Sequence, residues 1–147
     1  MPAMHSANPW KSYRRIATQT APPGQLVLML YEGAIHALER ALPGFSYEDP
    51  GESISTIHNN LQRAQEIIRE LNMALNLEQG GEFARTLRGL YNYFEKRLWE
   101  SNIKKNRTGV EEVIRHLNVL RDAWATMLRN QGIAPTTEPV EPQLVSL

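Results

Sequence analysis

Between Ile54 and Leu75 the apolar residues return every three or four positions: Ile54, Ile57, Leu61, Ala64, Ile68, Leu71 and Leu75. This is an unbroken heptad seam. A spacing near 3.5 residues suits a helix that buries one stripe against other helices lying nearly alongside it, whereas a strand would need a period of two. Two further segments carry the same repeat, one through Ala84, Leu87, Tyr91, Phe94, Leu98 and Ser101, the other through Val110, Val113, Leu117, Leu120, Trp124 and Met127. A fourth helical segment runs from about Pro23 to Leu42.

Local signals place the ends of these segments. Pro22 precedes another proline and is steered away from helix, while Pro23 suits a first helical position. Asp49 can cap the second helix, with Pro50 at its first position and Glu52 closing a capping box. Gly80-Gly81 is expected to end that helix and permit a tight reversal. The third helix runs out in "NIKKNRTG", where Lys104 and Lys105 complement the negative helix end. Thr108 with Glu111 predicts another capping box, and Gly132 a stop.

Helices of this length joined by short connections predict an all-α protein, an antiparallel up-down-up-down four-helix bundle. Residues 22–131 form the bundle domain in this reading. Residues 1–21 form a short helical cap, and 132–147 a Pro/Glu/Thr tail for which composition predicts no fixed structure. The 147 residues can bury one core. Sixteen cationic and sixteen acidic side chains leave no bulk field for nucleic acid or an anionic membrane. The N-terminal stretch lacks the apolar core of a secretory signal, and no apolar run approaches the ~20 residues of a membrane span. The absence of cysteine fits a reducing compartment, so the expected location is cytoplasmic.

The first helix carries more apolar surface than a bundle helix needs. Val27, Leu30, Ala34, Ala37 and Ala41 form one seam; Leu28, Tyr31, Ile35, Leu38 and Leu42 form a second beside it. Ile67, Phe83, Leu90, Ile114 and Leu128 likewise sit one position off their seams. A wide core face accounts for many such residues. The alternative is a surplus stripe that receives a partner helix, for which Leu28, Tyr31, Ile35, Leu38, Ile67 and Ile114 are the candidate groove residues. Ahead of this helix, "NPWKSYRRIATQTAPP" places Trp10, Tyr13 and Ile16 on one face of a helix too short to stand alone. Docked on the bundle, it is either a fixed brace or a detachable cover for that groove.

Catalytic constellations are scarce. Glu32 with His36, and Glu112 with His116, stand at i, i+4 on two helices. Di-metal bundles use inward-facing Glu-x-x-His motifs with further core glutamates, and these four residues fall off the seams. They read as surface pairs. His5 and His58 fit no pattern. No Gly-rich phosphate loop follows a strand, and no nucleophile motif appears. Tyr91 and Phe94 are required inside, which weakens a base-stacking reading of "LYNYFEKRLW". No catalytic residue, metal ligand or cofactor is assigned, and the chain reads as an interaction module.

The stretches "YRRIATQTAPPGQLVLMLYEGAI", "RAQEIIRELNMALNLEQGGEFARTLRGLYNYFEKRL" and "VIRHLNVLRDAW" resemble the flagellar secretion chaperones, the FliS family, in order and spacing from about Tyr13 to Met127. One departure is Pro22-Pro23-Gly24, where the family commonly has a Ser-Pro-Glu-like helix opening. The resemblance implies a helical-bundle export chaperone in the cytoplasm. Its partner would be the C-terminal segment of flagellin, held against premature polymerisation and handed to the flagellar export apparatus. It also implies that the tyrosine-bearing N-terminal segment covers part of the binding surface and moves aside. The competing reading is a generic bundle adaptor for another amphipathic helix of a secretion or regulatory protein.

Overall fold

The computed structural model describes residues 23–132. Four helices follow one another: α1 (Pro23–Ala41), α2 (Pro50–Met73), α3 (Leu77–Lys104) and α4 (Thr108–Asn130), with a 3₁₀ turn (Leu42–Ser46) after α1. Each packs beside its chain neighbours, and α4 closes the ring on α1. The result is the expected all-α four-helix bundle. Among the described residues there is no strand, and no helix is long and apolar enough to cross a membrane. The proposed cap with Trp10, Tyr13 and Ile16, and the tail beyond Gly132, lie outside the described residues.

The heptad residues fill the interior. Ile57, Leu61, Ala64 and Ile68 of α2, Tyr91, Phe94 and Leu98 of α3, and Val110, Val113 and Leu117 of α4 are completely buried. Each large apolar side chain contributes roughly 1.5–3 kcal/mol over its exposed state. Ile54 departs from this pattern at 53 % exposure. Asn102 of α3 meets His58 of α2 at 3.1 Å, so antiparallel register carries Ile54 past the last turn of α3, where no helix stands opposite.

Several helix ends form as the sequence predicts. Asp49 Oδ2 accepts the Glu52 amide at 2.8 Å, capping α2. Gly132 follows α4 at φ 77°, its amide donating to the Arg129 carbonyl. Two ends differ. Helix α2 stops at Met73, not at Gly80-Gly81, because Asn76 caps a new helix through its side chain and the Gln79 amide. Gly81 then interrupts that helix with φ 55° and ψ −131°, a conformation open to glycine and strained for other residues. Thr108 does not cap α4; it is the first helical residue, and Asn106 Oδ1 accepts its amide at 2.8 Å. Glu111 instead pairs with Arg107 at 3.0 Å.

Candidate partner-binding surface

Both seams of α1 are used inside the bundle. Val27, Leu30, Ala34, Ala37 and Ala41 are buried, and so are Leu28, Tyr31, Ile35 and Leu38. A helix in a square bundle has two lateral neighbours, and α1 gives one seam to each. The alanine-rich seam allows close approach to α2, the most extensive helix pair in the molecule. The second seam lies on the side of Gly24, whose carbonyl accepts the buried Trp124 indole N–H of α4 at 2.8 Å. Tyr31 turns fully inward and meets Tyr91 of α3 across the bundle, oxygen to oxygen at 2.5 Å.

The proposed open groove on α1 is therefore corrected. Leu28, Tyr31, Ile35 and Leu38 are core residues, and Ile67 of α2 is 1 % exposed. A stripe pattern cannot tell one neighbour from two. Only Ile114 of that set is partly exposed, packed at the margin of the core.

Apolar surface is left elsewhere, part of it between α3 and α4, the most loosely packed of the four lateral pairs. At the end near their connecting turn these helices are clasped. Gly109 passes directly over Ser101, which is buried. One turn on, Glu112 of α4 accepts the Tyr93 hydroxyl at 2.6 Å and Arg97 Nε at 2.8 Å. Arg97 also reaches Glu100 at 3.4 Å, and His116 lies 3.8 Å from Glu112 while stacking on Phe94, centroids 5.8 Å apart.

Beyond His116 the polar clasp ends. Continuing the register set by Arg97–Glu112 and Phe94–His116 brings Leu90 level with Leu120, and Phe83 level with Met127. Leu90, Leu120 and Met127 are partly buried, and Phe83 is 60 % exposed. Spaced seven apart on each helix, these four side chains line an apolar lane with one polar end. Phe83 and Leu90 were visible in the sequence as off-seam residues. The lane was not, because it depends on how tightly α3 and α4 close.

The electrostatics follow the hydrogen bonds. The Tyr93 hydroxyl and the Arg97 guanidinium hold Glu112 below the usual carboxylate range, and the same Glu112 bond raises the Tyr93 phenol. Burial raises Tyr31 and Tyr91 above the ordinary phenol value, so both are neutral in the folded protein. His36 is exposed on α1, and Glu112 serves the clasp. Among the described residues no group of three or more His, Cys, Asp or Glu could hold a metal ion.

The chain matches the family model described as flagellar protein FliS over residues 6–131. It belongs to the FliS family. The flagellar secretion chaperone FliS of Bacillus subtilis is 32% identical over 124 residues, covering 84% of this chain and 89% of the relative. The Salmonella typhimurium chaperone of the same name is 33% identical over 128 residues, covering 82% and 90%. That of Escherichia coli is 30% identical over 137 residues, covering 88% and 96%. Family membership thus spans the whole bundle, including the α1 seams and the α3–α4 lane.

Proposed function

We propose that this protein is a cytoplasmic export chaperone that binds the C-terminal segment of flagellin, keeps it from polymerising early and supports its secretion. Membership of a family whose relatives carry the name flagellar secretion chaperone supports the reading. The observation that carries it into residues is the lane of Phe83, Leu90, Leu120 and Met127, apolar surface without a covering element among the described residues. Filament-forming helices present apolar faces, and a chaperone must offer a substitute for the contacts they make in the filament. A lane between two helices receives such a face as a third helix lying along it.

Folding a disordered segment on binding costs about 2–5 kcal/mol, so several apolar positions must act together. Phe83→Glu and Met127→Glu each remove an anchor and bury a charge on binding. Each is expected to weaken a flagellin C-terminal peptide by about ten-fold or more in titration calorimetry, where ten-fold corresponds to about 1.4 kcal/mol. Because Phe83 is largely exposed, its variant retains its helical circular dichroism. Unchanged affinity in both folded variants would refute the lane as the site. Failure of the unaltered protein to bind the peptide would refute the flagellin reading itself.

A further inference from the structure

The flank of α3 opposite the lane carries a second exposed apolar group. Polar contacts run between α2 and α3 through Asn72–Asn92, Arg69–Glu95 and Gln65 to the Glu95 carbonyl, ending at His58–Asn102. Around that last contact stand Trp99 at 60 %, Ile103 at 63 % and Ile54 at 53 % exposure. Trp99 and Ile103 are one turn apart on α3 and flank Asn102, and Ile54 lies one turn before His58 on α2. The His58–Asn102 contact joins the two pairs of turns into one surface.

Its α3 rim is cationic, whereas Glu52 and Glu66 stand on the α2 side. Lys96 lies one turn before Trp99, and Lys105 donates to Asn102 Oδ1 at 2.5 Å, which holds its ammonium on this flank. Neither lysine has a carboxylate partner among the described residues. From Lys96 to Lys105 the one carboxylate of α3 is Glu100, engaged by Arg97 on the other side of the helix. We propose that this α2–α3 end face docks an acidic amphipathic helix of another protein, its apolar stripe on Trp99, Ile103 and Ile54 and its carboxylates against Lys96 and Lys105.

The shape and charge choose that occupant. The seam between two antiparallel helices accepts side chains of a third helix laid along it, and an exposed aromatic anchor with unpaired cations on its own helix favours carboxylates on that side of the partner. An anionic bilayer fits less well, because a broad anionic surface also meets Glu66 and Glu95 farther along the same two helices, whereas a helix can confine its carboxylates to the Lys96 and Lys105 side. The surface is separated from the Phe83 lane by the width of α3, so this partner and flagellin bind without competing.

The test uses the full chain and a dye-labelled synthetic helix with leucines at three- and four-residue spacing and glutamates elsewhere, followed by fluorescence anisotropy. The control peptide replaces every glutamate by lysine. The acidic peptide is expected to bind about ten-fold or more tightly than its basic counterpart, with affinity falling several-fold between about 50 and 300 mM salt. Ile103→Glu abolishes that binding, and Lys96→Glu with Lys105→Glu reverses the charge preference, while Phe83→Glu and saturating flagellin peptide leave it unchanged. Equal binding of the two peptides, insensitivity to Ile103→Glu, or binding confined to phosphatidylserine vesicles in a parallel sedimentation assay would overturn the proposal. Loss of binding on adding flagellin peptide would overturn it too, by merging this face with the chaperone site.

Discussion

Removing one hydroxyl from the Tyr31–Tyr91 pair tests the interior of the bundle most directly. The two oxygens lie 2.5 Å apart, the residues are 2 % and 0 % exposed, and no other hydrogen bond reaches either hydroxyl among the described residues. Tyr31→Phe deletes the bond and strands the Tyr91 hydroxyl in an apolar core, costing about 1–3 kcal/mol; Tyr91→Phe strands its partner to the same degree. With an unfolding entropy of about 2.1 cal/mol/K per residue, that cost lowers the melting temperature by roughly 4–13 °C for a cooperative unit of this size. The double Phe variant orphans nothing and loses only the net bond, about 0.5–1.5 kcal/mol. Urea melts of the four proteins complete a double-mutant cycle, and the coupling should be about 1 kcal/mol or more. A double variant that loses the sum of the two single losses would refute the reasoning, since the hydroxyls would then act independently.

Three further outcomes follow from the same geometry. Gly109→Ala would set a methyl group against Ser101 Oγ and 3.0 Å from the Arg97 carbonyl, costing about 1–3 kcal/mol in urea melts, with Ser101→Gly recovering part of the loss. Glu112 has its folded pKa depressed, so its contribution to stability is present above the unfolded value near pH 4.3 and disappears as pH falls through the lower folded value. Glu112→Gln should therefore lose stability at neutral pH and show a flatter acid limb, and an unchanged acid limb would contradict the clasp. Tyr31 and Tyr91 have raised folded pKa values, so the native state is unaffected below about pH 10 and loses stability above it as the unfolded phenols ionise. Absorbance at the phenolate band should show these two tyrosines ionising only with unfolding; ionisation of all five in the native protein would contradict their burial.

Much of this molecule is decided along the chain. The 3.5-residue repeat carries enough information to specify four helices and their inward residues, since a helix whose apolar positions recur on one stripe has few ways to hide them. Asp49, Pro50 and Gly132 act on hydrogen bonds within a few residues, so their roles need no knowledge of the rest of the fold. Competing local signals are less decisive. The Asn76 side chain restarts a helix before Gly80-Gly81, and Asn106 serves the end where Thr108 was expected to act.

The tertiary structure alone decided which surfaces remain. Two adjacent seams on α1 looked like one core face and one groove; the square arrangement of helices covers both, and Tyr31 finds Tyr91 sixty residues away. Ile54 fits the seam of α2 perfectly, yet lies exposed because α2 extends past the end of α3. Phe83, Trp99 and Ile103 stay at the surface because their exposure depends on the distance and register between whole helices. Periodicity along one helix specifies the direction in which a side chain points. Whether another helix stands there is settled only when the four are assembled.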